Sequence, residues 1–181
     1  QETITDPIGT RTTTAGDRQT SFTYDHLGRQ TSRTLPLGSA TGVESMHYDD
    51  TPIKDVSGSL TSSTANGQLA YSVDFEGNVT AYLYDNSSTG GGRLVQKRYY
   101  DATAVTGTIT VGEPPSTLAG KLGAFLRKVD YTYDAFGRSI DTIDSVHGTT
   151  TNTYDTQGRL TQIASPVGYI NYQYSDRGEL E

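Results

Sequence analysis

Five stretches of the chain spell one motif: TYDHLGRQ from Thr23, SVDFEGNV from Ser72, TYDAFGRS from Thr132, TYDTQGRL from Thr153 and QYSDRGEL from Gln173. An internal repeat constrains folding more than composition does, because no single copy closes a core and each must bury part of its surface on its neighbours. The repeat is therefore read as architecture first and as chemistry second.

Tyr133-Asp134-Ala135-Phe136-Gly137-Arg138 shows what one copy encodes. Asp at the first turn position and Gly at the fourth suit a type I turn, in which the carboxylate accepts backbone N–H groups and the Gly takes a positive φ. Such a turn followed by a left-handed glycine makes a hairpin with a G1 bulge. The flanks agree: Val129-Asp130-Tyr131-Thr132-Tyr133 alternates, and Thr150-Thr151-Asn152-Thr153-Tyr154 is rich in β-formers. The repeat turns expected on this basis are built on Tyr24, Asp25, Gly28 and Arg29, on Asp74 and Gly77, on Tyr84 and Asp85, on Tyr133, Asp134, Gly137 and Arg138, on Tyr154, Asp155, Gly158 and Arg159, and on Tyr174 and Gly178. Arg29, Arg138 and Arg159 are expected to pair with turn aspartates or to lie over tyrosine rings.

A second turn recurs between the first kind. Asp6-Pro7-Ile8-Gly9, Leu35-Pro36-Leu37-Gly38 and Ser165-Pro166-Val167-Gly168 place Pro and Gly two apart, and Asp144-Ser145-Val146-His147-Gly148 is a looser version. Pro second and Gly fourth again suit a type I turn. One unit is thus strand, tight turn, strand, wider turn. Tyr133, Tyr154 and Tyr174 step by 21 and 20 residues, a length that two strands of about six residues and two turns fill.

The motif Y-D-x-x-G-R, with its Pro-Gly turn and Thr/Tyr-rich return strand, resembles the YD repeat of the Rhs family. That family is shared by bacterial Rhs polymorphic toxins, the cage-forming components of insecticidal toxin complexes, wall-associated proteins and the animal teneurins. The resemblance covers most of the chain, with departures: Val73 stands where Tyr is expected before Asp74, Ser175 replaces the Asp, and Asn78 and Glu179 replace the Arg. It implies a hollow shell that encloses a C-terminal toxin or, as in teneurins, a barrel presented on the cell surface. It also implies a non-enzymatic structural segment of a large secreted or cell-surface protein, with adjacent repeats of the parent chain and an enclosed toxin or effector domain as partners. The self-cleaving sequence that follows such repeats is not recognisable; Asp6-Pro7-Ile8-Gly9 echoes part of it but sits where an ordinary turn belongs.

The expected fold is all-β: an array of antiparallel β-hairpins forming a curved sheet or partial shell or barrel, with one insertion carrying a short helix. Residues 1–101 read as hairpins with expanded loops, 102–128 as an insertion and 129–181 as regular repeats, the whole being a fragment of a longer protein. Tyr48-Asp49-Asp50 opens a copy whose Gly58-Ser59 comes late, Asn66-Gly67 is a short-turn signal, and Tyr84-Asp85 leads into a stretched turn ending at Gly92-Arg93. In the insertion, Leu118, Leu122, Phe125 and Leu126 form a helical stripe that Ser116 or Thr117 could cap. Gly120 and Gly123 weaken that helix by about 1 kcal/mol each.

Composition bounds this reading. Leu, Ile, Val and Phe make up about 19% of the 181 residues, and a net charge of −7 brings the chain near the compositional line for disorder. The repeats overrule that flag, because 13 Tyr and 29 Thr suit a half-exposed pleated surface. There is no Cys, hence no disulfide framework. No apolar run reaches the length of a membrane span, and the acidic balance argues against nucleic acid as a partner. An array of this kind presents open edge strands, through which the chain could self-associate.

No catalytic or metal-ligating set is expected, and no cofactor. A catalytic site repeating every 20 residues or so would be many sites, and turn geometry already accounts for Asp and Gly. His26, His47 and His147 share no zinc spacing, and the acidic run Asp49, Asp50 and Asp55 lacks EF-hand order. The alternative to a structural segment is a carbohydrate-binding or adhesion module. Tyr131 and Tyr133 share one sheet face, as do Tyr172 and Tyr174, and their rings could stack on sugars.

Overall fold

The computed structural model describes residues 2–5, 19–37, 40–48, 67–85 and 91–181. Twelve strands lie among them: β1 (Glu2–Thr5), β2 (Gln19–Tyr24), β3 (Gln30–Leu37), β4 (Ala40–Tyr48), β5 (Leu69–Val73), β6 (Val79–Asp85), β7 (Arg93–Tyr100), β8 (Arg127–Tyr133), β9 (Ser139–Asp144), β10 (Gly148–Tyr154), β11 (Leu160–Ser165) and β12 (Gly168–Asn171). A 3₁₀ turn (Ala102–Ala104) and helix α1 (Pro115–Lys121) lie between β7 and β8. Strand order in the sheet is chain order. Every connection is therefore a hairpin, the topology that tight turns every ten residues or so dictate.

The chain divides into two compact units, one of Gln1–Leu83 with Tyr99–Leu126, the other of Tyr84–Arg98 with Arg127–Glu181. In the first, cross-strand register lines up two buried rows: Ser32, Ser45, Val73 and Val79, and beside them His47, Tyr71 and Ala81. Insertion residues between β7 and β8 cover this face, for the Glu113 carbonyl meets the His47 ring at 2.8 Å, and α1 buries Pro115, Leu118 and Ala119. Serines and a histidine in the rows explain how so few aliphatics suffice: a second layer over half the sheet seals them. In the second unit Gln96 and Val129 are buried and most other strand side chains are half-exposed. It is a single wet layer, stabilised by cross-strand pairs.

Two details depart from the sequence reading. Pro36 is not a turn residue; β3 runs through it to Leu37, with Pro36 opposite Thr41. The insertion's helical stripe is cut short, since α1 ends at Lys121, and Leu122 turns extended and bridges to Val105. Leu118 is wholly buried, whereas Phe125 is 42% and Leu126 76% exposed. Gly123 explains the break: its N–H binds the Ala104 carbonyl at 2.8 Å, and a Cβ there would lie 3.1 Å from that oxygen. Nor do Ser116 or Thr117 cap the helix; Pro114 is the N-cap and Pro115 opens the first turn, where a missing N–H costs nothing.

Candidate functional site: the ladder between repeats

Each regular copy first closes on itself. The Asp25 carbonyl accepts the Gly28 N–H at 3.0 Å, and the Asp25 N–H donates to the Arg29 carbonyl at 3.0 Å. Oδ1 of the same carboxylate accepts the N–H groups of Leu27 and Arg29, both at 2.9 Å, and Oδ2 takes the Arg29 Nε at 2.6 Å. Asp134 repeats this with Phe136 and Arg138, and Asp155 with Gln157 and Arg159. Burial pushes the carboxyls of Asp25 and Asp134 up, but the backbone and side-chain bonds from Arg29 and Arg138 outweigh it and hold them below the usual range. For Asp155 the Arg159 N–H and guanidinium lead in the same direction. The turn glycines sit at φ of +78° to +86°, the left-handed region that a Cβ disfavours.

The arginine then reaches the next copy. Its guanidinium lies over a tyrosine ring, Arg29 on Tyr48 at 4.2 Å, Arg138 on Tyr154 at 4.4 Å and Arg159 on Tyr174 at 4.7 Å, with Arg93 on Tyr133 looser at 5.9 Å. The same tyrosine hydroxyl donates back to the carbonyl just past that arginine: Tyr48 to Gln30, Tyr133 to Leu94, Tyr154 to Ser139 and Tyr174 to Leu160, at 2.7 to 2.9 Å. Arg29 Nη1 also donates to the Gly67 carbonyl at 3.1 Å. A Cβ at Gly67, Gly137 or Gly158 would come within 2.8 to 3.0 Å of the preceding arginine. One guanidinium thus closes its own turn through Nε, stacks on the next ring, and fills the space beside the next glycine. Burial raises the Tyr48 phenol, and because each partner is a carbonyl, which can only accept, every one of these hydroxyls donates.

The departures from the motif now have places. In the first unit the Tyr24 and Tyr48 turns lie at one end of the strands and the Asp74 turn at the other, because hairpin ends alternate. Asp74 keeps the turn, accepting Glu76 and Asn78 N–H groups at 2.9 Å; Val73, in the place of the motif tyrosine, faces the buried row, and Arg33 lies over the Phe75 ring of this turn at 5.2 Å. Asn78 takes the arginine's place in miniature, donating to Asp74 at 3.0 Å and accepting the Ala102 N–H at 3.0 Å. At Ser175 the hydroxyl accepts the Glu179 N–H at 3.2 Å.

Sequence reading missed the pair Tyr100-Asp101; it opened a copy at Tyr48, read Gly67 as a separate short turn and ended a stretched turn at Arg93, but joined none of these three to the ladder. Tyr48 pairs with Leu69 across a bulge, as Tyr24 does with Gln30, which makes Gly67 the closing glycine of the Tyr48 copy; Asp49, Asp50, Asp55 and Gly58 lie outside the described residues. Asp101 accepts the Thr103 N–H at 2.9 Å and the Ala104 N–H at 2.8 Å, so the insertion hangs from a turn of the same type. The YD dipeptide at 100 was the available signal. Tyr84 and Asp85 open the copy closed by Gly92, whose N–H reaches the Asp85 carbonyl at 2.9 Å. Of the four tyrosines nominated for glycans, Tyr133 and Tyr174 have a ring face and their hydroxyl engaged in the ladder, while Tyr131 and Tyr172 are half-buried on the sheet.

A buried polar cluster in the first unit was not foreseen either. His47, 2% exposed, holds Ser45 Oγ through Nε2 and the Glu113 carbonyl through Nδ1, both at 2.8 Å. The Glu113 carboxylate pairs with Lys121 at 2.6 Å and accepts the Thr110 N–H at 3.0 Å. Burial would raise that carboxyl, but these bonds hold it below the usual range. His26 is exposed in its turn, and His147 is exposed, with Nδ1 3.0 Å from Asp144. Among the described residues no three His, Cys, Asp or Glu side chains converge as a metal site, and no helix is long and apolar enough to cross a membrane.

Comparison with known proteins gives an architecture. The family model for the RHS repeat matches residues 3–40. No curated protein sequence matches the chain. Among solved structures, the TcdB2-TccC3-Cdc42 crystal structure aligns over 88% of this chain and 8% of its own, at 18% identity and a TM-score of 0.54. The Tc holotoxin pore of Photorhabdus luminescens, bearing a TccC3 mutation, aligns over 92% of this chain and 9% of its own, at 19% identity. A porin-like protein from Bacteroides uniformis aligns over 90% of this chain and 80% of its own, at 13% identity. The last two have TM-scores of 0.45 and 0.39, too low to establish a shared fold. The chain spans under a tenth of the toxin chains it matches.

Proposed function

We propose that this chain, whose YD turns recur along its length and whose residues 3–40 match the RHS repeat, builds part of the wall of a larger secreted or cell-surface protein, a β-shell that encloses or presents a toxin or effector domain. One observation carries the reading: the motif residues that could do chemistry are consumed, Asp in closing its own turn and Arg and Tyr in joining copy to copy. A structural role also suits the second unit's single half-exposed layer, which is stable through its neighbours and needs no packed interior of its own. Its partners are then the repeats on either side in the parent chain and the domain within. The carbohydrate-binding alternative draws no support from the tyrosines nominated for it.

Limited proteolysis of the parent protein tests this. A domain enclosed by the repeats resists digestion, and breaking the ladder with Arg138→Gln and Tyr154→Leu together exposes it. Equal digestion with the ladder intact and broken would sink the shell reading.

A further inference from the structure

Independently of the shell reading, we propose that His47 is an acid-sensitive pin that fastens the segment 102–126 to the sheet of the first unit, and that protonating its ring releases that segment. The geometry supplies the pin. His47 sits in β4 on the buried face, and its ring joins that strand to the insertion through the Glu113 carbonyl at 2.8 Å. The carbonyl can only accept, so Nδ1 carries the proton and neutral Nε2 accepts from the Ser45 hydroxyl. Both ring nitrogens are satisfied without charge, and the ring is 2% exposed.

Among the described residues, no carboxylate beside the ring lacks a cation of its own. From the insertion the ring meets Glu113, already neutralised by Lys121 at 2.6 Å. From the first hairpin Asp25 lines the same cavity, already neutralised by Arg29 at 2.6 Å. Tyr48 and Met46 flank it in β4, and Tyr71 is its cross-strand neighbour on β5. Asp25, Arg29, Tyr48, Glu113 and Pro114 share with it a cavity of about 270 Å³. Burial foremost, with Lys121 adding to it, lowers the His47 pKa below its ordinary value of 6.5, against the opposing pull of the Glu113 carbonyl and carboxylate. In the open form the ring returns to that ordinary value.

The sign follows from linkage. The open form binds a proton that the docked form refuses, so docking is at full strength above pH 6.5 and weakens as pH falls through the window between 6.5 and the lower docked value. Within that window the opening equilibrium rises by up to about tenfold per pH unit.

The chain has no Cys, so Ala119→Cys places a unique thiol at a site 3% exposed in α1. Its reactivity toward an aromatic disulfide, divided by that of the urea-unfolded chain at the same pH, measures opening. We expect protection to be flat above pH 7 and to fall by up to about tenfold between pH 6.5 and 5.5, with the fall abolished by His47→Gln, whose amide can still donate to the Glu113 carbonyl. Protection that does not change with pH, or the same fall in His47→Gln, overturns the proposal. Should His47→Gln fail to fold, NMR titration of the unaltered protein decides. The His47 ring then titrates below the ordinary histidine value of 6.5; titration at or above it overturns the pin.

Discussion

The link from one repeat to the next can be measured as a coupling energy between Arg138 and Tyr154. The guanidinium lies 4.4 Å from the ring centroid, and the Arg138 side chain is 30% exposed. A cation over an aromatic ring is worth about 0.5–1 kcal/mol when exposed and about 2 kcal/mol when desolvated, which puts this pair near 1 kcal/mol. Arg138→Gln is a mild perturbation, because Gln68 holds the corresponding position after Gly67; Tyr154→Leu removes the ring. Each single change also removes other bonds, Arg138 its ion pair with Asp134 and Tyr154 its hydroxyl bond to Ser139, and the double-mutant cycle cancels them. Urea unfolding followed by tyrosine near-UV dichroism, compared at equal m values, gives the four free energies. We expect a favourable coupling of about 1 kcal/mol. Tyr154→Phe in place of Leu keeps the coupling while losing about 1 kcal/mol for the hydroxyl. Additivity within about 0.3 kcal/mol would mean that Arg138 serves only its own turn, and the ladder would not exist as an energetic unit.

Glycines separate into two kinds. Gly158→Ala is expected to destabilise by about 1–2 kcal/mol, because its φ is +86° and a Cβ would sit 3.0 Å from Arg138, whereas Gly120→Ala, in helix α1 with open space around it, is expected to stabilise by roughly 0.5–1 kcal/mol; urea midpoints measure both. Leu118→Ala, at a fully buried position, is expected to cost about 2–5 kcal/mol and to loosen the insertion in hydrogen exchange before the regular repeats. Acid should weaken the repeat turns: Asp25, Asp134 and Asp155 are all held below the ordinary 3.8, so their contribution is present above that value and is lost as pH falls through the lower folded values. Urea midpoints at pH 7, 4 and 2.5 check this, and an unchanged midpoint between pH 4 and 2.5 would contradict it.

What could be read from sequence divides along local and non-local lines. An Asp-x-x-Gly turn is decided by four consecutive residues, so hairpins, bulges and the chain-order sheet follow from letters alone. The ladder is decided between copies. Sequence offered ion pair or ring stacking for each arginine as alternatives; the guanidinium does both, since Nε points along its plane to the aspartate while its face remains for the ring. Val73 and Asn78 look like a decayed copy until strand alternation places them at the end opposite the Tyr24 and Tyr48 turns. His47 was invisible because its burial depends on the insertion, which meets it through the Glu113 carbonyl 66 residues further along the chain.

The same division explains how one sheet accommodates loops of different length. The closure that a copy requires is between the backbone of its Asp or Tyr and the residues beginning at its Gly, not the path between them. Gly92 reaches the Asp85 carbonyl at 2.9 Å, as Gly28 reaches Asp25 at 3.0 Å, although the first loop is longer. Tyr48 pairs with Leu69 across the bulge that Tyr24 and Gln30 share. Closing a loop of twice the length costs only about 0.6 kcal/mol, less than a ladder step of about 1 kcal/mol contributes. Loop expansion at a YD turn therefore leaves register and ladder in place. This makes the turns, and not the strands, the positions where such a sheet can acquire an element like the segment whose Glu113 carbonyl meets His47.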